Sequence, residues 1–228
     1  MIQLFEDASL TKLIMLVSII LCTYNRAQLL PRAINSVLKQ TYTDWELVVV
    51  DDGSKDSTKV LIESYIQKDE RISYFFQPNA GLAEARNTGI RLAIGDFLCF
   101  LDSDDELAPT HLERRMKYLD RNRNVDFLHG GMKLIGPEKK HYVVDLNDPG
   151  KKIHLSKCHI GGTFFFTRKI LRRVKRFRAI PFGEDFDFFK RVEKYFTVRK
   201  VRFPTYLYHL ETENRLCDVF TEELIKKK

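Results

Sequence analysis

The stretch that decides the fold is LVSIILCTYNRAQLLPRAINSVLKQTYTDWELVVVDDGS at residues 16–54. Residues 16–22 and 46–50 are short, apolar and rich in β-branched side chains, which is typical of strands covered on both faces. Between them, residues 29–38 have helical spacing, and Pro31 lies in the opening turn, where its missing N–H costs little. The order strand, helix, strand predicts a right-handed crossover between two parallel strands.

The same alternation continues to about residue 110. Residues 73–76 and 97–101 are predicted strands, and residues 58–66 and 82–94 are predicted helices. We therefore expect an α/β fold with a mixed, mainly parallel central sheet flanked by helices. In such a sheet the ligand lies outside the carboxyl ends of the strands.

The second half of the chain has a different pattern. It predicts a charged helix at 111–120, short strands near 126–134 and 163–167, and an amphipathic helix at 185–196. No linker-like segment separates the two parts of the chain. We therefore expect a single domain over residues 1–228, in which both parts share one core.

Length and composition exclude several classes of protein. With 228 residues, 44% hydrophobic and 30% charged, the chain is neither disordered nor fibrous. The longest apolar stretch, residues 13–22, is far shorter than the ~20 residues of a transmembrane helix. Glu6 and Asp7 precede it and no small-residue cleavage site follows, which argues against a signal peptide. Because the four cysteines also form no C-x-x-C pair, we expect a protein of the reducing cytoplasm.

Polar clusters follow three of the predicted strands, at residues 23–26 (TYNR), 51–54 (DDGS) and 102–105 (DSDD). Because carboxylates gathered at one edge of a sheet repel each other, a cation is expected to compensate them. Magnesium and manganese ions commonly bind through one or two carboxylates together with substrate phosphates. Each cluster alone is compatible with a solvated turn or a helix cap, but the three together favour a binding site.

Longer runs around these clusters carry a family resemblance. VSIILCTYNRAQLLPRAINSVLKQTYTDWELVVVDDGSKDST (17–58), NAGLAEARNTGI (79–90) and GDFLCFLDSDD (95–105) resemble the amino-terminal half of the family-two, inverting glycosyltransferases of the GT-A fold. The resemblance continues thinly through residues 161–163 and 183–185. It implies a nucleotide-sugar-binding half at about 1–110 and an acceptor-binding half at about 111–228. The implied reaction moves a sugar from a nucleotide-diphosphate donor, with UDP as the expected nucleotide, to a hydroxyl of a glycan or lipid-linked acceptor.

The resemblance also implies roles for individual residues. Asp52 would read the edge of the base, and Asp102 would lie near the ribose. Asp104 would hold Mn²⁺ or Mg²⁺ on the diphosphate. His209 would reach the diphosphate or the metal, unless it is only a partly buried histidine beside aromatic residues. The implied nucleotide-sugar contacts are Thr23, Tyr24, Asn25, Asp52, Arg86, Asp102 and Ser103.

Asp185 is the implied general base, because a carboxylate can take the proton that an acceptor hydroxyl loses. A position at a helix N-terminus would lower its pKa, whereas the donor phosphates would raise it. The residues alone do not rank these two effects, and a purely stabilising acidic first turn is the alternative. Similarly, Gly161-Gly162-Thr163 would either let the backbone approach the acceptor closely or form a plain turn.

A basic segment at residues 168–178 carries seven positive charges and no acid, equal to the whole net charge of +7. As a helix it would separate a basic face from an apolar one, which suits an anionic bilayer surface. The basic face would consist of Lys169, Arg172, Arg173 and Arg176. A solvated face packed on the core by its apolar side is the alternative. Nucleic acid is not expected, because no aromatic platform or recognised binding motif accompanies the charges.

Two other functions are compatible with the residues. A sugar-phosphate nucleotidyltransferase would need a glycine- and arginine-rich loop after the first strand, and TYNR is not one. A non-catalytic nucleotide-sugar-binding subunit would not need Asp185. The Q-x-x-R-W motif of processive, membrane-embedded synthases is absent, which argues against a cellulose- or hyaluronan-type synthase. The family resemblance implies a setting in the assembly of bacterial surface polysaccharide or lipid-linked glycan at the cytoplasmic membrane face.

Overall fold

The computed structural model describes residues 15–145, 148–180, 183–212 and 215. From residue 17 to residue 102, helices and strands alternate as the sequence predicts. The strands at Glu106–Leu107, Tyr142–Asp145, Asp148–His154 and Val198–His209 were not predicted. The helices are α1 (Leu30–Leu38), α2 (Thr58–Ile66), α3 (Leu82–Leu92), α4 (His111–Arg121), α5 (Leu171–Val174) and α6 (Glu184–Val192). The strands are β1 (Val17–Thr23), β2 (Trp45–Asp51), β3 (Ile72–Phe76), β4 (Phe97–Asp102), β5 (Glu106–Leu107), β6 (Phe127–Ile135), β7 (Tyr142–Asp145), β8 (Asp148–His154), β9 (Phe165–Thr167) and β10 (Val198–His209).

The described strands form an eight-stranded sheet in the order β3-β2-β1-β4-β9-β6-β10-β5. Strand β1 pairs in parallel with β2 and with β4, and β2 pairs in parallel with β3, as the alternation predicts. Strand β9 runs antiparallel to both β4 and β6 and so joins the two parts of the chain in this sheet. Strands β7 and β8 form a separate antiparallel pair.

The sheet separates two hydrophobic layers. Alternate residues of β1 enter opposite layers, Ile19 and Leu21 on the side of α1 and α2, and Ile20 and Cys22 on the side of α3 and α6. Every residue of β1 is buried, so the apolar stretch forms a fully covered strand. Among the described residues, no helix has the length and apolar character needed to cross a bilayer. Cys22, Cys99 and Cys158 are free thiols, and Cys217 lies outside the described residues.

The basic segment does not form one continuous helix. A 3₁₀ turn at Arg168–Ile170 leads into the single turn of α5, and Lys175 then adopts a left-handed backbone (φ +67°) that ends the helix. Ile170, Val174 and Phe177 are buried in the layer beneath the sheet. The apolar side of the segment therefore belongs to the core, as in the solvated-face alternative.

The last helix is also shorter than predicted, ending at Val192 instead of residue 196. Asp126 explains the early end, because its backbone N–H donates to the Thr197 carbonyl (2.9 Å) and its carboxylate accepts from the Thr197 N–H (3.0 Å). These bonds draw the chain away from the helix and into β10 beside β6.

Candidate active site

The sheet register brings the three predicted polar clusters to one edge. Thr23 lies opposite Asp51, and Cys22 lies opposite Asp102. The Thr23 hydroxyl is buried and has no hydrogen-bond partner, while the neighbouring Tyr24 is about half exposed (47%). A buried, unpaired hydroxyl next to an exposed ring is suited to a polar ligand that brings its own donor or acceptor.

Asn25 and Asp52 organise the loops at this edge. Asn25 has a left-handed backbone (φ +50°), and its side-chain oxygen accepts from the Lys55 N–H at 2.8 Å. The Asp52 carboxylate accepts hydrogen bonds from Gln77, from the Ala80 N–H and from the Gly81 N–H. Asp52 thus fixes the loop that precedes α3. Its expected contact with the edge of the base stays a prediction.

Arg86, on α3, has three carboxylate partners although its guanidinium is only 2% exposed. Nη1 donates to Asp185 Oδ1 and lies 3.4 Å from Glu184 Oε1, and Nη2 lies 3.2 Å from Asp102 Oδ1. Burial alone would lower the pKa of Arg86, but the attraction of these carboxylates outweighs burial and raises it. Arg86, which the sequence places near the nucleotide, therefore joins Asp102 in the first part of the chain to Glu184 and Asp185 in the second.

Asp185 lies in the first turn of α6, with one fifth of its side chain accessible. Its Oδ1 accepts from Arg86, and its Oδ2 accepts from the Gly161 N–H at 2.7 Å. Burial raises the pKa of Asp185 to about 7, against the lowering by Arg86 and the Gly161 N–H. Because burial dominates, the carboxyl can exchange a proton near neutral pH, as a general base must.

Gly161 and Gly162 leave room for two neighbouring side chains, those of Asp185 and Tyr206. A Cβ on Gly161 would lie 2.4 Å from Asp185 Oδ1, and a Cβ on Gly162 would lie 2.1 Å from the Tyr206 hydroxyl. The side chains of Asp185 and Tyr206 can approach this 3₁₀ turn so closely only because Gly161 and Gly162 have no Cβ atoms. The structure therefore gives these glycines a packing role, and the sequence-based suggestion of backbone contact with an acceptor stays untested.

The loop after β4, residues 102–105, is called the acidic loop. Tyr206, which is fully buried, contacts it through its hydroxyl. The Tyr206 hydroxyl donates to Asp105 Oδ2 at 2.7 Å and accepts from the Asp102 N–H at 3.3 Å. Burial raises the pKa of Asp105 well above its usual range, and the nearby Asp102 and Asp104 raise it further. Tyr206 thus supports the acidic loop without reaching its outer surface.

The surroundings of Asp104 fit a divalent cation. Burial raises the pKa of Asp104, the negative charge of Asp102 raises it further, and the positive charges of Arg26 and Arg215 lower it. An added cation would offset the repulsion between the Asp102 and Asp104 carboxylates. Arg26 Nη1 is 3.7 Å from Asp104 Oδ2. No group of three or more His, Cys, Asp or Glu side chains within the described ranges is arranged to hold a metal by itself. The residues fit an ion that one carboxylate shares with ligand phosphates and water.

The side chain of His209 contacts Glu106. Its Nε2 is 2.7 Å from Glu106 Oε2, and its backbone N–H donates to Asp105 Oδ1 at 2.8 Å. No described contact joins His209 to Asp104, so its role at a metal stays a prediction. Ser103, the remaining expected contact, is buried within the acidic loop.

Sequence reasoning gave no role to Tyr206, Glu184, Arg26 or the Gly161 N–H. Tyr206 is three residues from His209 in the motif YLYH, but nothing local marks its hydroxyl as the partner of Asp105. The signal for Gly161 was the glycine pair itself, which indicates a close approach without saying what approaches.

A mainly parallel sheet with acidic clusters at its carboxyl edge is the arrangement of the GT-A fold. S. aureus TarS (residues 1–349, complex with UDP-GlcNAc) has a similar structure, with a TM-score of 0.72 and 24% identity, covering 90% of this chain and 61% of TarS. PcManGT from Pyrobaculum calidifontis, a mannosyltransferase in complex with GDP-Man and Mn²⁺, gives 0.68 and 21%, covering 90% and 59%. At these identities the likeness concerns the fold, and it confirms the predicted α/β class.

The chain belongs to glycosyl transferase family 2, whose model matches residues 18–182. An uncharacterised glycosyltransferase of Haemophilus influenzae is 36% identical over 179 residues, which cover 76% of this chain and 70% of the relative. An uncharacterised glycosyltransferase of Rickettsia bellii is 40% identical over 139 residues, and there the match covers 61% of this chain but only 19% of the relative. Membership of the family confirms the resemblance recognised in the sequence.

Proposed function

We propose that this protein is an inverting, metal-dependent glycosyltransferase that uses a UDP-sugar and a hydroxyl acceptor. The observation that carries the proposal is the carboxyl of Asp185, which shares the Arg86 guanidinium with Asp102 at the edge where β4 ends and the acidic loop begins. Names of similar proteins point the same way: TarS was solved with UDP-GlcNAc. WfgD of Escherichia coli, 41% identical over 121 residues (53% of this chain, 47% of WfgD), is named a UDP-Glc:alpha-D-GlcNAc-diphosphoundecaprenol beta-1,3-glucosyltransferase.

The donor binds along the carboxyl ends of β1, β2 and β4. Thr23, Tyr24, Asn25 and Asp52 line the nucleoside end of this edge, and Asp102 and Ser103 follow toward the diphosphate. The buried Thr23 hydroxyl, which has no partner in the protein, supports this assignment.

Asp104 would hold Mn²⁺ or Mg²⁺, and the bound ion would neutralise the charge that develops on the diphosphate leaving group. The charge of Asp102 supports this assignment, because a second carboxylate beside Asp104 favours an added cation there. His209 is the other residue proposed to reach the diphosphate or the ion.

Asp185 acts as the base. The acceptor hydroxyl oxygen attacks the anomeric carbon, its proton passes to a carboxylate oxygen of Asp185, and the bond from that carbon to the diphosphate oxygen breaks with its electron pair on the diphosphate. A single displacement of this kind inverts the anomeric configuration. Each oxygen of this carboxylate accepts one of the two described hydrogen bonds, Oδ1 from Arg86 and Oδ2 from the Gly161 N–H.

The acceptor half comprises residues from about 111 to 228, and the proposed acceptor is a glycan or lipid-linked hydroxyl at the cytoplasmic membrane face. The basic segment offers a means of reaching an anionic bilayer, because its apolar residues are buried while several of its cations are exposed. The exposed cations are Lys169, Arg172, Arg173, Lys175, Arg176 and Arg178.

A panel of nucleotide sugars tests the function. With Mn²⁺ present, UDP should be released from one UDP-sugar, at a rate that a glycan or lipid-linked acceptor increases. Asp185→Asn should lower transfer by roughly 10²–10⁴-fold, the range for loss of a positioned general base, while UDP binding is retained. A retained anomer in the product would exclude the single displacement. Formation of pyrophosphate from a nucleoside triphosphate and a sugar 1-phosphate would instead identify a nucleotidyltransferase.

A further inference from the structure

The buried guanidinium of Arg86 links Asp185 to Asp102. Arg86 is separated from Asp185 by 99 residues of chain and from Asp102 by 16. Its guanidinium carbon lies 5.5 Å from the ring centres of both Phe100 and Phe177. With aromatic rings on two sides and 2% exposure, this side chain has almost no surface left for a ligand.

We propose that Arg86 is a positioning residue that holds the Asp185 carboxylate in place for proton transfer and ties it to Asp102 on the donor side. The inference rests on the proposed function, in which Asp185 is the base. It reassigns Arg86 from a nucleotide contact to a group that acts through another residue.

The chemistry of arginine suits this role. A guanidinium has two terminal nitrogens in one rigid plane, so it can bond Asp185 through Nη1 and Asp102 through Nη2 at the same time. The Gly161 N–H binds the other oxygen of Asp185. With one partner on each oxygen, the plane of the carboxylate is set, which is the requirement for a base aimed at a single proton.

The charges around Asp185 make the assignment measurable. The groups that face its carboxylate are Arg86 on α3, Asp102 on β4, Glu184 on its own helix and the Gly161 N–H. Arg86 is the positive charge in this set. Loss of that charge therefore moves the titration of Asp185 to higher pH, because two carboxylates remain to disfavour its ionised form.

A double-mutant cycle tests the role of Arg86, using Arg86→Lys as the variant that keeps the charge but loses the fork. Release of UDP from UDP-glucose or UDP-GlcNAc should fall roughly tenfold to hundredfold in kcat for Arg86→Lys, since a base displaced by about 1 Å loses activity on this scale. In an Asp185→Asn background the same change should have less than about a twofold effect, because residues that act as one unit are not additive. Calorimetric affinity for UDP with Mg²⁺ should stay within about twofold in Arg86→Lys.

The opposite pattern would overturn the proposal. In that case Arg86→Lys weakens UDP binding, and its fold-loss in kcat multiplies with the fold-loss of Asp185→Asn in the double variant. Arg86 would then be a nucleotide contact that acts independently of the base. If the wild type neither binds UDP nor turns over a UDP-sugar, the proposed function fails, and the arrangement around Asp185 is tested without substrate.

The substrate-free test is ¹³C NMR of the Asp185 carboxyl, assigned by its absence in Asp185→Asn. We expect its midpoint to rise in Arg86→Gln, and to rise less in Arg86→Lys, which also covers the case in which Arg86→Gln does not fold. Identical midpoints in the wild type and both folded variants would show that Arg86 does not hold Asp185.

Discussion

A single added methyl group at Gly161 should disable the proposed base without removing any charged residue. The Cβ of an alanine would stand 2.4 Å from Asp185 Oδ1 and 2.7 Å from its Cγ. The clashing atoms are the far end of a flexible side chain, so the carboxylate can move while the backbone stays. Gly161 does not have a positive φ, and alanine is compatible with its conformation.

The size of the effect follows from this distance. Ordinary contact begins at 3.4 Å, so Oδ1 must retreat by about 1 Å, and a displacement of that size costs on the order of 10²-fold in rate. The retreat also weakens the 2.7 Å bond from the Gly161 N–H, which lowers stability by about 1–3 kcal/mol if the buried donor stays unsatisfied.

The assay compares steady-state transfer and UDP affinity in Gly161→Ala and in Gly150→Ala. Gly150 is a matched control, because a Cβ there would meet only Asp148 Oδ1, at an ordinary 3.4 Å. We expect kcat to fall in Gly161→Ala alone, with UDP affinity unchanged in both variants. A Gly161→Ala enzyme that folds and transfers at the wild-type rate would refute the placement of Asp185 as the base.

Three further changes test the metal, the buried acid and the support of the acidic loop, and a fourth tests the basic segment. Mn²⁺ or Mg²⁺ should tighten UDP binding in the wild type but not in Asp104→Asn, and equal metal-dependent affinity in calorimetry would contradict the role of Asp104. Because burial raises the pKa of Asp185 to about 7, the folded protein binds more protons than the unfolded chain between about pH 4 and 7, and its stability falls as pH rises through this window. Asp185→Asn should therefore stabilise the protein more at pH 8 than at pH 4.5 in urea unfolding, and an equal effect at both values would be contrary to this linkage. Tyr206→Phe should cost about 1–3 kcal/mol in the same assay, because buried Asp105 loses its 2.7 Å donor; Tyr195→Phe, at an exposed tyrosine, is the control, and a cost no larger than the control's would rule out support by the hydroxyl. Binding to anionic vesicles should weaken with salt and on changing Arg172, Arg173 and Arg176 to Gln, whereas changing the exposed lysines Lys59, Lys68 and Lys117 should have little effect; indifference to lipid charge in flotation would leave the segment a solvated surface.

The sequence by itself determined the parallel part of the sheet, β1 to β4, and the edge that carries the site. Strand β10 and the antiparallel position of β9 between β4 and β6 came only from the tertiary structure. The apolar runs at 16–22, 46–50 and 97–101 predict buried strands, and the helices between them predict parallel pairing. Since parallel strands end at one edge, the clusters after them had to meet, and the register of Thr23 with Asp51 and of Cys22 with Asp102 follows this expectation.

The basic segment marks the limit of periodicity. Its spacing suits a helix over 168–178, yet Lys175 ends the helix after α5 because Ile170, Val174 and Phe177 must all enter the core. Helical spacing records which residues are apolar, whereas the tertiary structure decides how the backbone turns to bury them.

Only the tertiary structure decided which groups surround Asp185. Arg86, Gly161 and Asp102 come from three distant parts of the chain, and no local pattern joins them to the first turn of α6. The sequence indicates a helix dipole that would lower the pKa of Asp185 and donor phosphates that would raise it, without ranking the two. In the structure burial raises this pKa to about 7. Burial removes water through the combined packing of every neighbouring element, so it has no local signature in the sequence.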